Sequence, residues 1–298
     1  MDSYCRCCGS KKYKIVAMLH NVDIAVCKVC GLAFVIRETK ANSGSTYFSD
    51  FNLENYTTYY KDFREYYFKK HLDTLERLAA KGPILDIGCS FGWFLKIAKD
   101  SGWEAFGIEQ TEDIARKASQ EYGLDILSNL GDIDKFNKKF NAITLWNVLE
   151  HMAEPEEALK TLHSKLKDYG ILVVSVPNIN GLFYRLSFLS YRLSFGKFKF
   201  PLEQLYQAYN PYMHLFNYSV STLSLMLKKS DFQTIKVFKQ PVIDVKKIKY
   251  RLGIDCKLNF FSKYLLIILT KSVYFISRIL YMDDEIVIYG RKTQVKAG

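Results

Sequence analysis

Apolar and polar positions alternate along this chain with two periods, and together they sketch a repeating strand–helix order. The run Ile84-Leu85-Asp86-Ile87 is almost wholly apolar, as a parallel strand covered on both faces must be. It breaks at Gly88, after which Trp93, Phe94, Ile97 and Ala98 recur at helical spacing. A second strand is predicted at Glu104–Ile108, followed by a helix that Thr111 caps and Gly123 ends. A brief third strand covers residues 124–127, a fourth runs from Phe140 to Trp146-Asn147, and a fifth covers residues 171–178 after a helix at 155–166. The helix Val220–Lys229, a strand at 232–239 and a final antiparallel strand at 285–291 complete the order. Upstream, Phe63, Tyr67, His71, Leu75 and Leu78 step at helical spacing toward Gly82. The class is α/β, a doubly wound parallel sheet ending in an antiparallel hairpin.

Two stretches break this rhythm. Residues 179–213 are rich in aromatic and basic side chains, including Tyr184, Arg185, Arg192, Lys197 and Lys199. Residues 240–283 include the basic cluster Lys246-Lys247-Ile248-Lys249-Tyr250-Arg251 and continue into an apolar helix over 260–280. Lys263, Lys271 and Arg278 interrupt that helix near one stripe, with Phe261, Leu265, Leu269, Val273, Ile276 and Leu280 opposite. No run of roughly twenty apolar residues remains, so a bilayer span is not expected. A basic amphipathic segment suits an anionic membrane surface, and equally a sheet edge or a dimer interface.

The net charge of +11 over 298 residues favours anionic partners: nucleotide-linked substrates, acidic membranes or nucleic acid. A solvated basic surface would carry the same charge. The opening Met1-Asp2-Ser3-Tyr4-Cys5 lacks the basic start and apolar core of a secretory signal, so a cytoplasmic location is expected, extending to the inner face of the membrane. In a reducing compartment the seven cysteines are read as metal ligands or buried thiols rather than disulfides.

Four of them form two C-x-x-C-G knuckles, Cys5/Cys8 before Gly9 and Cys27/Cys30 before Gly31. Each knuckle places two thiolates on one tight turn, and two knuckles complete a tetrahedral four-sulfur zinc site. Cys7 is an extra thiol outside that spacing. Ile15, Val16, Met18, Val22, Ile24 and Val26 between the knuckles give the segment the β-rich pattern of a zinc ribbon. So short a module cannot bury enough surface alone, and the metal is expected to supply its folding energy.

The break at Gly88 is where ligand chemistry is expected. A strand, a glycine turn and a helix N-terminus offer backbone amides to a carboxylate or phosphate. Asp86-Ile87-Gly88-Cys89-Ser90-Phe91-Gly92 resembles motif I, D-x-G-x-G-x-G, of the class I S-adenosylmethionine-dependent methyltransferases, with Ser90 in place of the middle glycine. A nicotinamide site would need G-x-G-x-x-G instead, and a turn that binds no ligand is the remaining alternative. Glu109-Gln110 ends the second strand where an acid can bind a ribose diol. The segment Phe140-Asn141-Ala142-Ile143 through Leu149-Glu150-His151 resembles the fourth strand of UbiE/UbiG-like members, with Asn141 for the usual aspartate. Val176-Pro177-Asn178 and His214-Leu215-Phe216-Asn217-Tyr218-Ser219 resemble later landmarks of the same family.

The resemblance implies a Rossmann-like seven-stranded sheet at 82–298, preceded by a zinc-ribbon-like module at 1–40 and an aromatic connector with a lid helix at 41–81. It implies S-adenosylmethionine held by Asp86, Gly88, Cys89, Ser90, Gly92, Glu109, Gln110, Asp132, Trp146, Asn147 and Tyr60, with Tyr56 and Arg64 as further lid candidates. Asp132 would bind the adenine, or instead form an Asx turn or cap. His151 and His214 are the candidate bases, each equally able to serve as a structural anchor, whereas His163 reads as a surface residue. Zinc knuckles ahead of such a core resemble methyltransferases of nucleotide-linked deoxysugars and of surface-polysaccharide synthesis. O- or C-methylation of a sugar carrying an anionic group is therefore expected. RNA, a lipid or quinone-like acceptor, and a non-enzymatic scaffold with a vestigial cofactor fold remain as alternatives, and no Asn/Asp-Pro-Pro-Tyr motif for base nitrogens is present.

Overall fold

Strand Pro83–Ile87 (β4) lies at the middle of a seven-stranded sheet, because its side chains are apolar enough to be covered on both faces. In the computed structural model, residues 4–20, 22–38, 53–208, 213–242, 244–248 and 259–293 are described, without the side chains of 53–59 and 260. Tyr47, Phe48 and Phe51 of the expected aromatic connector, and Lys249, Tyr250 and Arg251 of the basic cluster, lie outside them. Tyr56 is described only in its backbone.

The remaining strands of this sheet are Glu104–Ile108 (β5), Asp125–Leu127 (β6), Phe140–Trp146 (β7), Leu166–Pro177 (β8), Phe232–Gln240 (β10) and Glu285–Lys292 (β11). Their order is β10-β11-β8-β7-β4-β5-β6. The pairs β4–β5, β4–β7, β5–β6 and β7–β8 are parallel, and β10 with β11 forms the antiparallel end hairpin. The Rossmann-like class and the closing hairpin are thus as expected. Strand β8 is longer than expected, since it starts directly at Leu166. Tyr169 there takes a left-handed φ of 61°, and the register against β7 shifts between Phe140 and Ala142.

The chain divides into two compact units, each discontinuous in sequence. The first comprises residues 1–63, 177–219 and 238–286, and the second 64–176, 220–237 and 287–298. Contiguous blocks at 1–40, 41–81 and 82–298 do not describe this division. The inserted stretches 179–213 and 240–283 fall largely with the N-terminal module.

Within the second unit, helices Trp93–Asp100 (α2), Glu112–Tyr122 (α3), Pro155–Lys165 (α4) and Val220–Lys229 (α7) connect the strands. Helix Leu53–Glu76 (α1) buries Phe68, His71, Leu72 and Leu75. Its buried stripe thus differs from the expected one in taking Phe68 rather than Tyr67. Ring contacts explain the difference, because Phe68 lies 5.5 Å from Phe94 and 5.2 Å from Trp146. Burying each such side chain contributes roughly 1.5–3 kcal/mol. His163 is half-buried rather than a surface group, edge-on to Phe232 at 5.2 Å, and burial lowers its pKa first of all.

In the first unit, Tyr13–Met18 (β1), Val22–Cys27 (β2) and Ala33–Glu38 (β3) form an antiparallel meander. A distant fourth strand, Phe216–Asn217 (β9), pairs with β3 at Phe34↔Phe216 and Ala33↔Asn217. Helices Leu182–Leu193 (α5) and Phe200–Leu205 (α6) supply the core that the short module lacks. Tyr184, Leu202, Tyr206 and Met213 pack with Leu19, Val22 and Ile24 in one buried cluster. The insertion thus gives the module a buried core beside its cysteine cluster. Helix Phe260–Ile279 (α8) completes this unit.

The start of α5 is fastened to the segment after α8. Phe183 N donates to Asp284 Oδ1 at 3.0 Å and Leu182 N to the Met282 carbonyl at 2.9 Å. A Cβ at Gly181 would meet Asp284 Oδ1 at 2.1 Å and Asp284 Cα at 2.8 Å. Gly181→Ala is therefore expected to cost about 1–3 kcal/mol and to lower Tm by several degrees in calorimetry. An unchanged Tm would contradict this packing.

Candidate functional site

The carboxyl ends of β4 and β5 meet at the glycine turn. Gly88 sits at φ 66°, and a Cβ there would fall 2.6 Å from Val148 Cγ2, so both its conformation and its surroundings require glycine. Ser90 also takes the left-handed region, at φ 49°. It adopts at a cost of roughly 1–2 kcal/mol the conformation that a glycine would adopt freely. Ser90 thus keeps the turn's path although it departs from the family pattern.

Glu109 organises this turn. It is buried, and its two oxygens accept from the backbone on either side: Ser90 N to Oε2 at 3.0 Å and Thr111 N to Oε1 at 2.8 Å. A carboxylate has about four lone-pair sites, so two amides leave acceptor capacity for a diol. Thr111 occupies the N-cap of α3 but its side chain makes no cap bond, a correction to the expected cap. Its amide is instead committed to Glu109.

Asp86 is buried beneath the turn, where Thr144 Oγ1 donates to its Oδ1 at 2.6 Å. Burial, opposed by that hydrogen bond and reinforced by the nearby Glu109 charge, pushes the Asp86 carboxyl up to about 8. Burial also raises the Cys89 thiol, with Asp86 and Glu109 adding to the effect. A Cβ on Gly107 would meet Cys89 Sγ at 2.7 Å, so this thiol is packed against the second strand. Helix α2 then begins at Gly92 with no capping side chain and no acidic residue in its first turn. Such a start leaves its amide end favourable to an anionic or electron-rich group.

The other expected residues fall in both units. Asn147 follows β7 at φ 57°, and its Oδ1 accepts from Arg64 Nη1 of α1 at 2.9 Å. Trp146 packs against Phe68, His71 and Phe94, and its buried Nε1 has no hydrogen-bond partner among the described residues. Gln110 is exposed. Asp132 is half-buried and pairs with Lys135 at 2.9 Å, while the cap of its 3-10 helix, Leu130–Phe136, comes from Asn129, whose Oδ1 accepts from Gly131 N. Glu150 is fully buried, and His151 Nε2 stands 4.0 Å from Glu150 Oε1, an ion pair when the ring is protonated. Tyr60, half-buried, and His214, buried with its amide donating to the Tyr206 carbonyl at 3.1 Å, belong to the other unit.

Sequence reasoning gave no role to Thr144, which holds Asp86. The signal was a hydroxyl inside an otherwise apolar strand, where a buried polar group needs a partner. Asn141 is likewise explained, since its Nδ2 donates to the Ala80 carbonyl at 3.2 Å. An aspartate could not make that bond.

The first unit carries a separate cluster. The Sγ atoms of Cys5, Cys8, Cys27 and Cys30 lie within 4.8 Å of one another, with Cys5–Cys30 at 3.4 Å and Cys8–Cys27 at 3.5 Å. Burial pushes the Cys5 and Cys30 thiols up. At Cys27 burial acts in the same direction, yet the Cys30 and Val29 amides prevail and bring it to about 7. Sulfurs this close and converging fit a tetrahedral metal with bonds of about 2.3 Å. Cys7 is buried outside the cluster.

The raised carboxyl of Asp86 has a pH signature. Between its unfolded value of 3.8 and its folded value of about 8, the native state holds more protons than the unfolded chain. Its contribution is fully present below 3.8 and is lost as pH rises toward about 8. Calorimetry at pH 5 and pH 8 should therefore show Tm falling more in the parent than in Asp86→Asn. Equal falls would place Asp86 in an ordinary carboxylate environment.

Comparison with known proteins agrees with this geometry. Residues 59–237 match the family described as a methyltransferase domain. A ubiquinone biosynthesis O-methyltransferase of Actinobacillus pleuropneumoniae is 31% identical over 106 residues, which cover 32% of this chain and 45% of that protein. The chain spans about half the length of the curated relatives it matches. A SAM-dependent methyltransferase structure from Archaeoglobus fulgidus superposes with a TM-score of 0.53 at 17% identity, covering 81% of this chain and all (100%) of that one. Magnesium protoporphyrin IX methyltransferase from Synechocystis, solved with bound SAH, superposes with a TM-score of 0.50 at 12% identity, covering 83% and 97%. These solved structures share the fold. The family match extends over most of the sheet and over the turn that Glu109 organises, and the chain belongs to the methyltransferase-domain family.

Proposed function

We propose that this chain is an S-adenosylmethionine-dependent methyltransferase acting on an oxygen or carbon of a sugar, presented as a nucleotide-linked, lipid-linked or glycan acceptor. The observation that carries the cofactor reading is Glu109, a buried carboxylate fixed by the Ser90 and Thr111 amides with acceptor sites to spare. Gly88, where a Cβ would fall 2.6 Å from Val148 Cγ2, holds the left-handed path of the turn, and the uncapped start of α2 would favour an incoming carboxylate. The family's naming as methyltransferases, and the SAH in the Synechocystis relative's structure, support the same reading.

S-adenosylmethionine, when bound, supplies an electrophilic methyl group on a sulfonium. Attack by the acceptor forms the new bond to carbon as the carbon–sulfur bond breaks and its electron pair returns to sulfur. The protein's task is alignment, together with removal of the acceptor's proton. Glu109 would orient the ribose, with Asp86 and Thr144 bracing the turn from below. His151, beside the buried Glu150, or His214 would take the proton. Cys5, Cys8, Cys27 and Cys30 would hold a structural zinc, since four thiolates leave no open position for catalysis.

The sugar reading rests on the cysteine knuckles ahead of such a core and on the net charge of +11, which suits an acceptor bearing phosphate. A quinone-like acceptor is the second reading, favoured by the name of the Actinobacillus relative. Incubation with methyl-labelled cofactor, followed by fractionation into nucleotide-linked, lipid-linked, quinone and RNA pools, separates them. Label in a sugar pool supports the first reading, label in quinones the second, and label confined to RNA rejects both.

Two measurements test the bound groups. Glu109→Gln should weaken cofactor binding by about 10- to 100-fold in calorimetry, the worth of one or two charge-assisted hydrogen bonds. Unchanged affinity would remove Glu109 from the site. Metal analysis of the purified chain should give one zinc per chain, lost in a Cys27→Ser/Cys30→Ser variant together with a large fall in Tm. Absence of zinc from the parent, with Tm unaffected by chelator, would refute the metal.

A further inference from the structure

Helix α8 shows water an apolar face that no described residue covers. Phe261, Leu265, Ile268, Leu269, Phe275 and Ile276 recur at spacings that place them on one side, and all are exposed, Phe261 at 76% and Phe275 at 66%. Val273, expected on this face, is half-buried with Leu266, Ile267 and Tyr274 on the opposite side, and Ser277 is buried there. The inward side is thus occupied and the outward side is the more hydrophobic one. Helix α5 packs against α8 and repeats the pattern, with Leu186, Leu189 and Leu193 exposed, the last at 72%. Phe195, just beyond α5, is 93% exposed. Scattered single apolar residues on a surface need no explanation, whereas two adjoining helices with continuous apolar stripes mark an interaction face.

Cations predominate around these stripes, although Arg278 is paired with Asp283, its Nη1 standing 2.6 Å from Asp283 Oδ2. Residues 182–200 and 259–282 contain seven cations, Arg185, Arg192, Lys197, Lys199, Lys263, Lys271 and Arg278, and no carboxylate. A second copy docked on this face would bring like charges together, which an apolar dimer contact would have to overcome. A layer of anionic headgroups above acyl chains matches both features at once. The helix has 20 residues, about 30 Å of length, yet no described helix is long and apolar enough to cross a membrane.

We propose that α8 and α5 form a docking face for an anionic lipid bilayer, with α8 lying in the plane of the interface, its apolar stripe among the upper acyl chains and its cations at the headgroups. This face belongs to the first unit and the glycine turn to the second, and the proposal does not depend on the methyltransferase reading. It would hold the chain at the surface where lipid-linked acceptors reside.

The test uses the full chain and sedimentation with vesicles of phosphatidylcholine, alone or with roughly a third phosphatidylglycerol. Binding is expected to the anionic vesicles, weakening as salt is raised. Lys271→Gln and Arg192→Gln should each weaken it about five-fold, the effect of one cation near an anionic leaflet. Leu265→Glu/Ile268→Glu should abolish it while leaving the melting curve intact, because both side chains are exposed. Equal binding to neutral and anionic vesicles, or no binding to either, would overturn the proposal. So would a concentration-dependent dimer that the Leu265→Glu/Ile268→Glu variant dissolves while the parent ignores vesicles.

Discussion

The carboxylate of Glu109 ties the ligand-facing end of the sheet together. One oxygen holds the amide of Ser90 in the turn after β4, and the other holds the amide of Thr111 at the start of α3. Two chain crossings that parallel strands would otherwise leave independent are thereby locked to a single side chain at the end of β5. The two amides take up part of the acceptor capacity of a carboxylate, which has about four lone-pair sites. Asp86 shows the opposite solution to burial. It has one side-chain donor, Thr144, and burial keeps it protonated up to about 8, so the site avoids two adjacent carboxylate charges.

The N-terminal module obeys a different constraint. Three short strands and four cysteines cannot bury enough surface to stand alone, and the chain resolves this by bringing back residues from far along the sequence. Strand β9 extends the meander, and Tyr184, Leu202 and Tyr206 fill its core. The insertions that follow the fifth sheet strand are therefore part of the module's own fold. One consequence is that α5 spends one side on this core and leaves its other side apolar and open.

Departures from the family pattern are accommodated locally. Ser90 takes the left-handed backbone of the glycine it replaces, and Asn141 uses its amide to reach the Ala80 carbonyl. His151 and His214, the two candidate bases, fall in different units.

Much of the sheet was legible in the sequence because strand burial and helix periodicity are local signals. Ile84 to Gly88, Glu109 at a strand end and the paired C-x-x-C-G knuckles declare themselves through composition and spacing alone, since a covered strand must be apolar and a tight turn needs glycine. The stripe of α1 was read one position off, because Phe68 rather than Tyr67 is selected by rings that arrive from α2 and β7. Only tertiary structure could decide that β9 joins β3, that Thr111 spends its amide on Glu109, and that Gly181 must yield room to Asp284. Each of these depends on residues brought together across long stretches of chain, and sequence periodicity carries no record of which distant surface will arrive.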